Sequence, residues 1–193
     1  MKNILSAAVL GFGLLSAPAF AAPEAYVLQA SHSQVVFSYN HLGFSTTTGM
    51  FSGFEGEIMF DQEDPANSSV SVSMPVKSMY TGWEARFQHF MSDAFFDAKD
   101  GDMITFNSTS IEVTGENTAN ITGDLSINGV TKSVVLDAKL NQVMDEHPME
   151  KKPWAGFDAS VTLLRSDYNL GAFVPFVGDE ISVNISLEAM KAE

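Results

Sequence analysis

The sequence predicts an all-β fold, an antiparallel barrel of eight strands with one short helical insert near residues 81–97. Three observations lead there. Eight segments alternate apolar with polar residues at period two, the mark of antiparallel strands with one wet face. A sandwich fits that alternation too, but the strands are long and carry glycine in their interiors, where a closing sheet has to coil. Only Thr81–Asp97, TGWEARFQHFMSDAFFD, departs from the period.

Taken in order, the chain opens with a leader. In Met1–Ala21 a lysine precedes the apolar run Ile4–Leu15, and Ala19-Phe20-Ala21 has the small-x-small form of a signal-peptidase site. The run is too short to span a bilayer, and no later stretch is long and apolar enough. Residues 1–21 are therefore expected to be removed on export, leaving residues 22–193 as one domain large enough to bury a core.

The strands follow. In His32–Leu42, Val35, Phe37, Tyr39 and His41 share one face, with Gln34, Ser38 and Asn40 on the other. Phe54, Ile58 and Phe60 alternate with Glu55, Glu57 and Asp61, while Gly53 and Gly56 leave room for a bend or bulge. Val70, Val72, Met74 and Val76 alternate with Ser69, Ser71, Ser73 and Pro75.

Next comes the insert. Trp83, Phe87, Phe90 and Met91 fall on one helical face; Thr81 is positioned to cap the helix, and Ser92–Phe96 reads as a second short turn. So much aromatic surface has to be covered. The segment either lines one end of a greasy barrel or plugs a solid core, with His89 facing the cavity or its rim.

Ile104 and Phe106 begin a strand that runs to Val113 with a change of phase. Ile121, Gly123, Leu125 and Ile127 form the next, and Asn128-Gly129 turns it back through a tight hairpin. Val134, Leu136, Ala138 and Leu140 make the return. Beyond the charged, proline-bounded loop Gln142–Pro153 come Phe157, Ala159, Val161 and Leu163, and finally Ile181, Val183, Ile185 and Leu187. The residues expected to face inward and line the lumen are Val35, Phe37, Tyr39, Phe54, Ile58, Phe60, Val72, Met74, Phe106, Leu125, Leu136, Val161, Leu163, Val183 and Ile185. The mouth is expected to be ringed by Arg86, Phe87, His89 and Phe90, with Phe173 and Phe176 from the Gly171–Gly178 loop, and Trp83 is expected among the ligand contacts.

Charge and chemistry narrow the function. With a formal charge of -14 the chain has no basic stripe for a nucleic acid, and anionic membrane surfaces repel it. Without cysteine there is neither a disulfide nor a thiol nucleophile. The four histidines lie far apart, without the HxH or HxxxH spacing of a metal site, and Asp145-Glu146-His147 with Glu150 reads as a solvated turn. No serine is accompanied by an evident base and orienting acid, so no catalytic residue, metal or cofactor is assigned and the chain is not read as an enzyme.

Several short motifs, in this order and spacing, carry a resemblance. They are Tyr26 ahead of His32-Ser33, Val36-Phe37, His41-Leu42-Gly43, Gly49-x-Phe51 and Phe54-x-Gly56. Downstream stand Arg86-x-x-His89, Phe95-Phe96-Asp97, Ile104-Thr105-Phe106-x-Ser108 and Gly123-Asp124-Leu125. The set ends with Gly129-Val130-Thr131-Lys132, Arg165-Ser166-Asp167 and Val177-Gly178-Asp179-Glu180. Together they resemble the YceI-like family of periplasmic, lipocalin-like polyisoprenoid-binding proteins. The resemblance implies an interior channel holding an isoprenoid quinone, a prenyl diphosphate or another amphipathic lipid, in a periplasmic protein for which a homodimer is compatible. The chain departs from the family pattern at Gln29, where Asp is usual, at Phe87, where Asp usually follows the Arg, and at Asn128 and Asn169, where His and Gly are common. An Asp lost at position 87 makes the mouth greasier.

Arg86 and Arg165 are the only arginines. Each either forks onto a diphosphate or quinone carbonyl, or pairs structurally: Arg165 with Asp167 or a neighbouring strand's acid, Arg86 with Asp93 or Asp97. His41 is either a head-group contact or a satisfied core histidine. Two functions follow, a lipid carrier with an open lumen, or a solid-cored, stress-related periplasmic module that docks a protein partner. An isomerase or cyclase working inside the barrel is a third possibility.

Overall fold

The computed structural model describes residues 22–193; the leader expected at residues 1–21 lies outside them. The strands are β1 (Glu24–Leu28), β2 (Gln34–His41), β3 (Ser45–Phe51), β4 (Glu55–Phe60), β5 (Ser69–Pro75), β6 (Met103–Gly115), β7 (Thr118–Ile127), β8 (Val130–Met144), β9 (Trp154–Leu164) and β10 (Glu180–Lys191). These ten segments occupy eight positions around a closed antiparallel barrel. β10 pairs with β9 along its whole length, and on its other side with β2 at Ser182–Ser186 and with β1 at Ala189–Lys191. So β1 and β2 are two halves of one broken strand. β3 and β4 are halves of its neighbour, paired with β2 and β1 respectively.

Both breaks have local causes. Between β1 and β2 a 3-10 turn at Ala30–His32 is tied down by Ser33, whose Oγ donates to the carbonyl of Gln29 at 2.8 Å. Between β3 and β4 the chain turns at Gly53, with φ of +70°, a conformation that side-chain-bearing residues rarely adopt. β1 and β3 were not anticipated. In β3 the inward positions are Thr47, Gly49 and Phe51, too polar and too small to announce an apolar face.

Elsewhere the alternation holds. β6 changes phase at a bulge between Ser108 and Ser110, so that Ile104 and Phe106 face inward before it and Ile111 and Val113 after it. Asn128 and Gly129 both take positive φ, +50° and +75°, as a primed two-residue hairpin turn requires. β8 runs on to Met144, so the charged loop is shorter than expected at its start.

The insert differs in detail. α1 (Glu84–Met91) is preceded by Trp83, and Thr81 does not cap it; the Thr81 hydroxyl instead donates to the carbonyl of Trp83 at 2.9 Å. Ser92–Phe96 is a run of turns, closed by Phe96 N–H to the carbonyl of Phe90 at 3.1 Å, where a second helical turn was expected.

The two ends of the barrel are built differently. At the β1 end Tyr26, Leu28, Phe60, Ala155 and Ala189 are buried together, with Tyr26 edge-on to Phe60 and Phe60 edge-on to Phe157 at centroid distances of 5.7 and 5.5 Å. This cluster packs the β1 side of that end, while the cavity reaches past it to the β6–β7 turn at Gly115–Thr118 and to Pro65, Ser68, Lys139 and Asp158. At the other end the β2–β3 hairpin, the insert and the Arg165–Asp179 segment surround an opening.

Candidate functional site: the barrel lumen

Beside the Tyr26–Phe60 cluster the barrel is hollow. A cavity of about 1130 Å3 runs up to the opening, slightly above the roughly 300–1,000 Å3 usual for ligand sites. Val35, Phe37, Tyr39 and His41 line it from β2; Phe54, Ile58 and Phe60 line it from β4 and its approach; Val72 and Met74 line it from β5. Phe106, Leu125 and Leu136 face it from β6, β7 and β8, and Val161, Leu163, Val183 and Ile185 from β9 and β10. Trp83, Arg86, His89 and Phe90 stand over the opening with Arg165, Phe173 and Phe176. Phe87 is the correction: it packs against the core from the helix and is not part of the cavity wall.

Two glycines explain how so many rings fit around an open axis. Gly49 lies beneath the Phe37 ring and Gly123 beneath the Phe106 ring; a Cβ at either would overlap the ring. Each phenylalanine therefore lies close against the wall, where a larger neighbour would push it inward. The sequence showed Gly49 and Gly123 as motif residues, but only the cross-strand register brings them under those rings.

Polar groups are few and mostly committed. Arg165 is 8% exposed, yet no acid is its partner. Its Nε donates to the carbonyl of Gly178 at 2.8 Å, Nη1 to the carbonyls of Ala172 at 2.8 Å and of Leu170, and Nη2 to that of Val177 at 2.9 Å. This corrects the pairing with Asp167, which binds Lys132 instead. Burial pushes the guanidinium pKa down, and the Asp179 charge opposes that. Asp179 accepts from the Ser166 hydroxyl and backbone N–H, and the hydroxyl bond above all holds its carboxyl below the ordinary value.

Arg86 also lacks the expected acid. It donates to the carbonyl of Thr81 at 3.0 Å and lies 5.9 Å from the centre of the Trp83 ring, within cation–π range, while Asp97 pairs with Lys99. Tyr168 is buried beside the opening; its hydroxyl has no partner among the described residues, and burial pushes its pKa up. In the charged loop His147 stacks on Trp154 at 4.4 Å and Glu146 pairs with Lys151. Among the described residues no group of three His, Asp or Glu side chains comes together as a metal site would need.

Aromatic contacts run in sequence out of the lumen. Tyr39 meets Phe90 at 6.2 Å, Phe90 meets Phe95 at 5.4 Å, and Phe95 and His89 each meet Phe173 at 6.1 Å. A bridge between His41 and Val177 brings the β2–β3 hairpin beside the Phe173 loop. Sequence reasoning missed Phe95, Phe96 and Met79 as wall residues; Phe95-Phe96 was visible as an aromatic pair, but it was read as part of a helical turn.

The YceI-like domain model matches residues 26–189, nearly the whole described chain. The chain belongs to the YceI-like family. It is 37% identical over 195 residues to a UPF0312 protein of Ectopseudomonas mendocina (strain ymp), covering 99% of each. Its fold is similar to that of Burkholderia cenocepacia BcnA, with a TM-score of 0.75 at 25% identity over 83% of this chain and 98% of that one. It is also similar in fold to a domain from Saccharophagus degradans described as polyisoprenoid binding, with a TM-score of 0.68 at 14% identity, covering 88% and 99%. This YceI-like barrel thus has the family architecture, and its centre is hollow rather than solid.

Proposed function

We propose that this YceI-like chain holds an isoprenoid lipid in its lumen, an isoprenoid quinone or a prenyl diphosphate, and that it carries, stores or senses that lipid in the periplasm without catalysing a reaction. The observation that supports this is the cavity itself: large, walled mostly by apolar side chains, and reaching from the opening beside the insert to the β6–β7 turn at Gly115–Thr118. Its shape suits a methyl-branched chain inserted tail first. At about 25 cal/mol per Å2, burying a few hundred Å2 of tail contributes on the order of 10 kcal/mol before the entropy losses of binding. Affinity needs no hydrogen bond, and a head group would only set orientation.

The residues proposed to touch the lipid are the cavity-lining set, with Trp83, His89, Phe90, Phe173 and Phe176 at the head-group end. Arg165 is better described as part of the frame, since four of its five N–H donors already go to carbonyls. The domain from Saccharophagus degradans described as polyisoprenoid binding has the same fold, which is consistent with this ligand class.

The test is direct. Purified protein is extracted with organic solvent and the extract examined by mass spectrometry, while Trp83 fluorescence is followed as a ubiquinone is added. A co-purifying isoprenoid and saturable quenching are expected. A clean extract together with unchanged fluorescence overturns the reading.

A further inference from the structure

The exposed aromatic residues are not scattered. Among the described residues, five aromatic side chains are strongly exposed: Phe44, Tyr80, Trp83, Phe173 and Phe176. Four ring the opening of the lumen, Phe44 at 88% exposure, Trp83 at 64%, Phe173 at 56% and Phe176 at 74%; Tyr80 is bridged to Met50 of β3. They come from three separate segments, and the His41–Val177 bridge and the Phe173 contacts with His89 and Phe95 hold these together at one end.

Nor are these rings core residues that failed to fold inward. Phe173 has φ of +64°, a conformation rarely adopted by a bulky residue. Its loop is pinned on both sides by Arg165, through the carbonyls of Ala172 and Val177. A buried arginine thus holds two phenylalanines in solvent. Such exposure is unfavourable in water unless another apolar phase covers it.

We infer that the rim of the opening docks on a lipid bilayer, Phe44, Trp83, Phe173 and Phe176 entering its headgroup–acyl boundary so that the lumen faces the membrane. This rests on the lipid-holding reading of the cavity. Three observations select a bilayer over a protein partner. The rim is continuous with the lumen through the aromatic sequence from Tyr39 to Phe173, so a chain leaving the cavity passes onto the rim without crossing water. Phenylalanine and tryptophan on projecting loops are what the headgroup boundary accepts. The chain's formal charge of -14 then specifies the surface, neutral or zwitterionic rather than anionic. Docking of this kind is peripheral, and no helix among the described residues is long and apolar enough to cross a membrane.

The test is flotation of the full chain, leader removed, with phosphatidylcholine vesicles, compared with Phe44→Asp and with Phe176→Asp. Phe44 is outside the cavity wall, so its replacement leaves solvent-extractable lipid unchanged. Wild-type protein is expected to float, each charged substitution to lower the bound fraction about tenfold, and phosphatidylglycerol to weaken binding further. A wild-type chain that floats but yields a clean extract keeps the docking surface and sinks the lipid-holding reading instead. The inference is overturned if wild-type protein stays at the bottom of the gradient, or if Phe44→Asp floats as wild type does. It is also overturned if, without vesicles, Phe44→Asp turns a concentration-dependent dimer into a monomer in gel filtration, for then a second copy covers the rim.

Discussion

The Tyr26 cluster and the mouth of this barrel are made from the same alternating strands, and they come out opposite. In the cluster, Tyr26, Leu28 and Phe60 meet over the small residues Ala155 and Ala189, and the rings interlock edge to face. Higher up, Phe37 and Phe106 are just as large, but each lies over a glycine on the neighbouring strand and stays near the wall. Whether a ring fills or lines a barrel is thus decided by the residue opposite it, not by its own size. At the rim the contrast is complete, for phenylalanines there are held in solvent by hydrogen bonds to backbone.

Substitutions can break this contrast, beginning with the cluster. Leu28→Ala is expected to cost about 2–5 kcal/mol in urea unfolding, as a side chain deleted from a filled region should, whereas Phe176→Ala at the rim should stay within about 0.5 kcal/mol. Equal losses at the two positions would erase the distinction. Arg165→Met comes next. It leaves four carbonyls without a donor and should cost about 3 kcal/mol, with limited proteolysis appearing first in the loop after Tyr168.

Smaller effects sharpen the picture of the hollow. Gly49→Ala should push the Phe37 ring toward the axis, costing about 1–3 kcal/mol and reducing the lipid recovered by extraction. Val161→Phe adds volume where the wall faces open space, so stability should change by less than about 1 kcal/mol while extractable lipid falls to about a tenth. A loss of several kcal/mol there would mean the centre is already full. The smallest effect concerns pH. Because the Asp179 carboxyl is held below its ordinary value, its contribution is complete above the unfolded value near about 3.9 and fades as pH falls through the lower folded one. Thermal unfolding followed between pH 5 and 2 should show this loss in the wild type and a smaller one in Asp179→Asn.

Much of this architecture can be read directly from side chains. The alternation of Ile121, Gly123, Leu125 and Ile127, the Asn128-Gly129 turn and the phase change in β6 all follow from residue type and period. The breaks between β1 and β2 and between β3 and β4 do not. Thr47 and Gly49 sit inward with no apolar signature, because the space above Gly49 belongs to Phe37. Arg165 shows the same limit at the site. Its partners are carbonyl oxygens, which every residue carries, so no pattern of acids announces them, and the search for an ion pair pointed to Asp167 instead. Phe87 misled for a related reason: helical spacing identified an apolar face but not which part of it meets the core.

The Arg165 anchor has one more implication. Peptide carbonyls neither titrate nor lose their dipoles in brine, so the hydrogen bonds that hold Arg165 persist in acid and in salt, and only the longer-range attraction of Asp179 fades there. Ion pairs on the outer surface, such as Lys132 with Asp167, weaken as salinity rises, while the frame of the opening keeps its shape. The aperture of this vessel should therefore be nearly indifferent to the ionic weather around it.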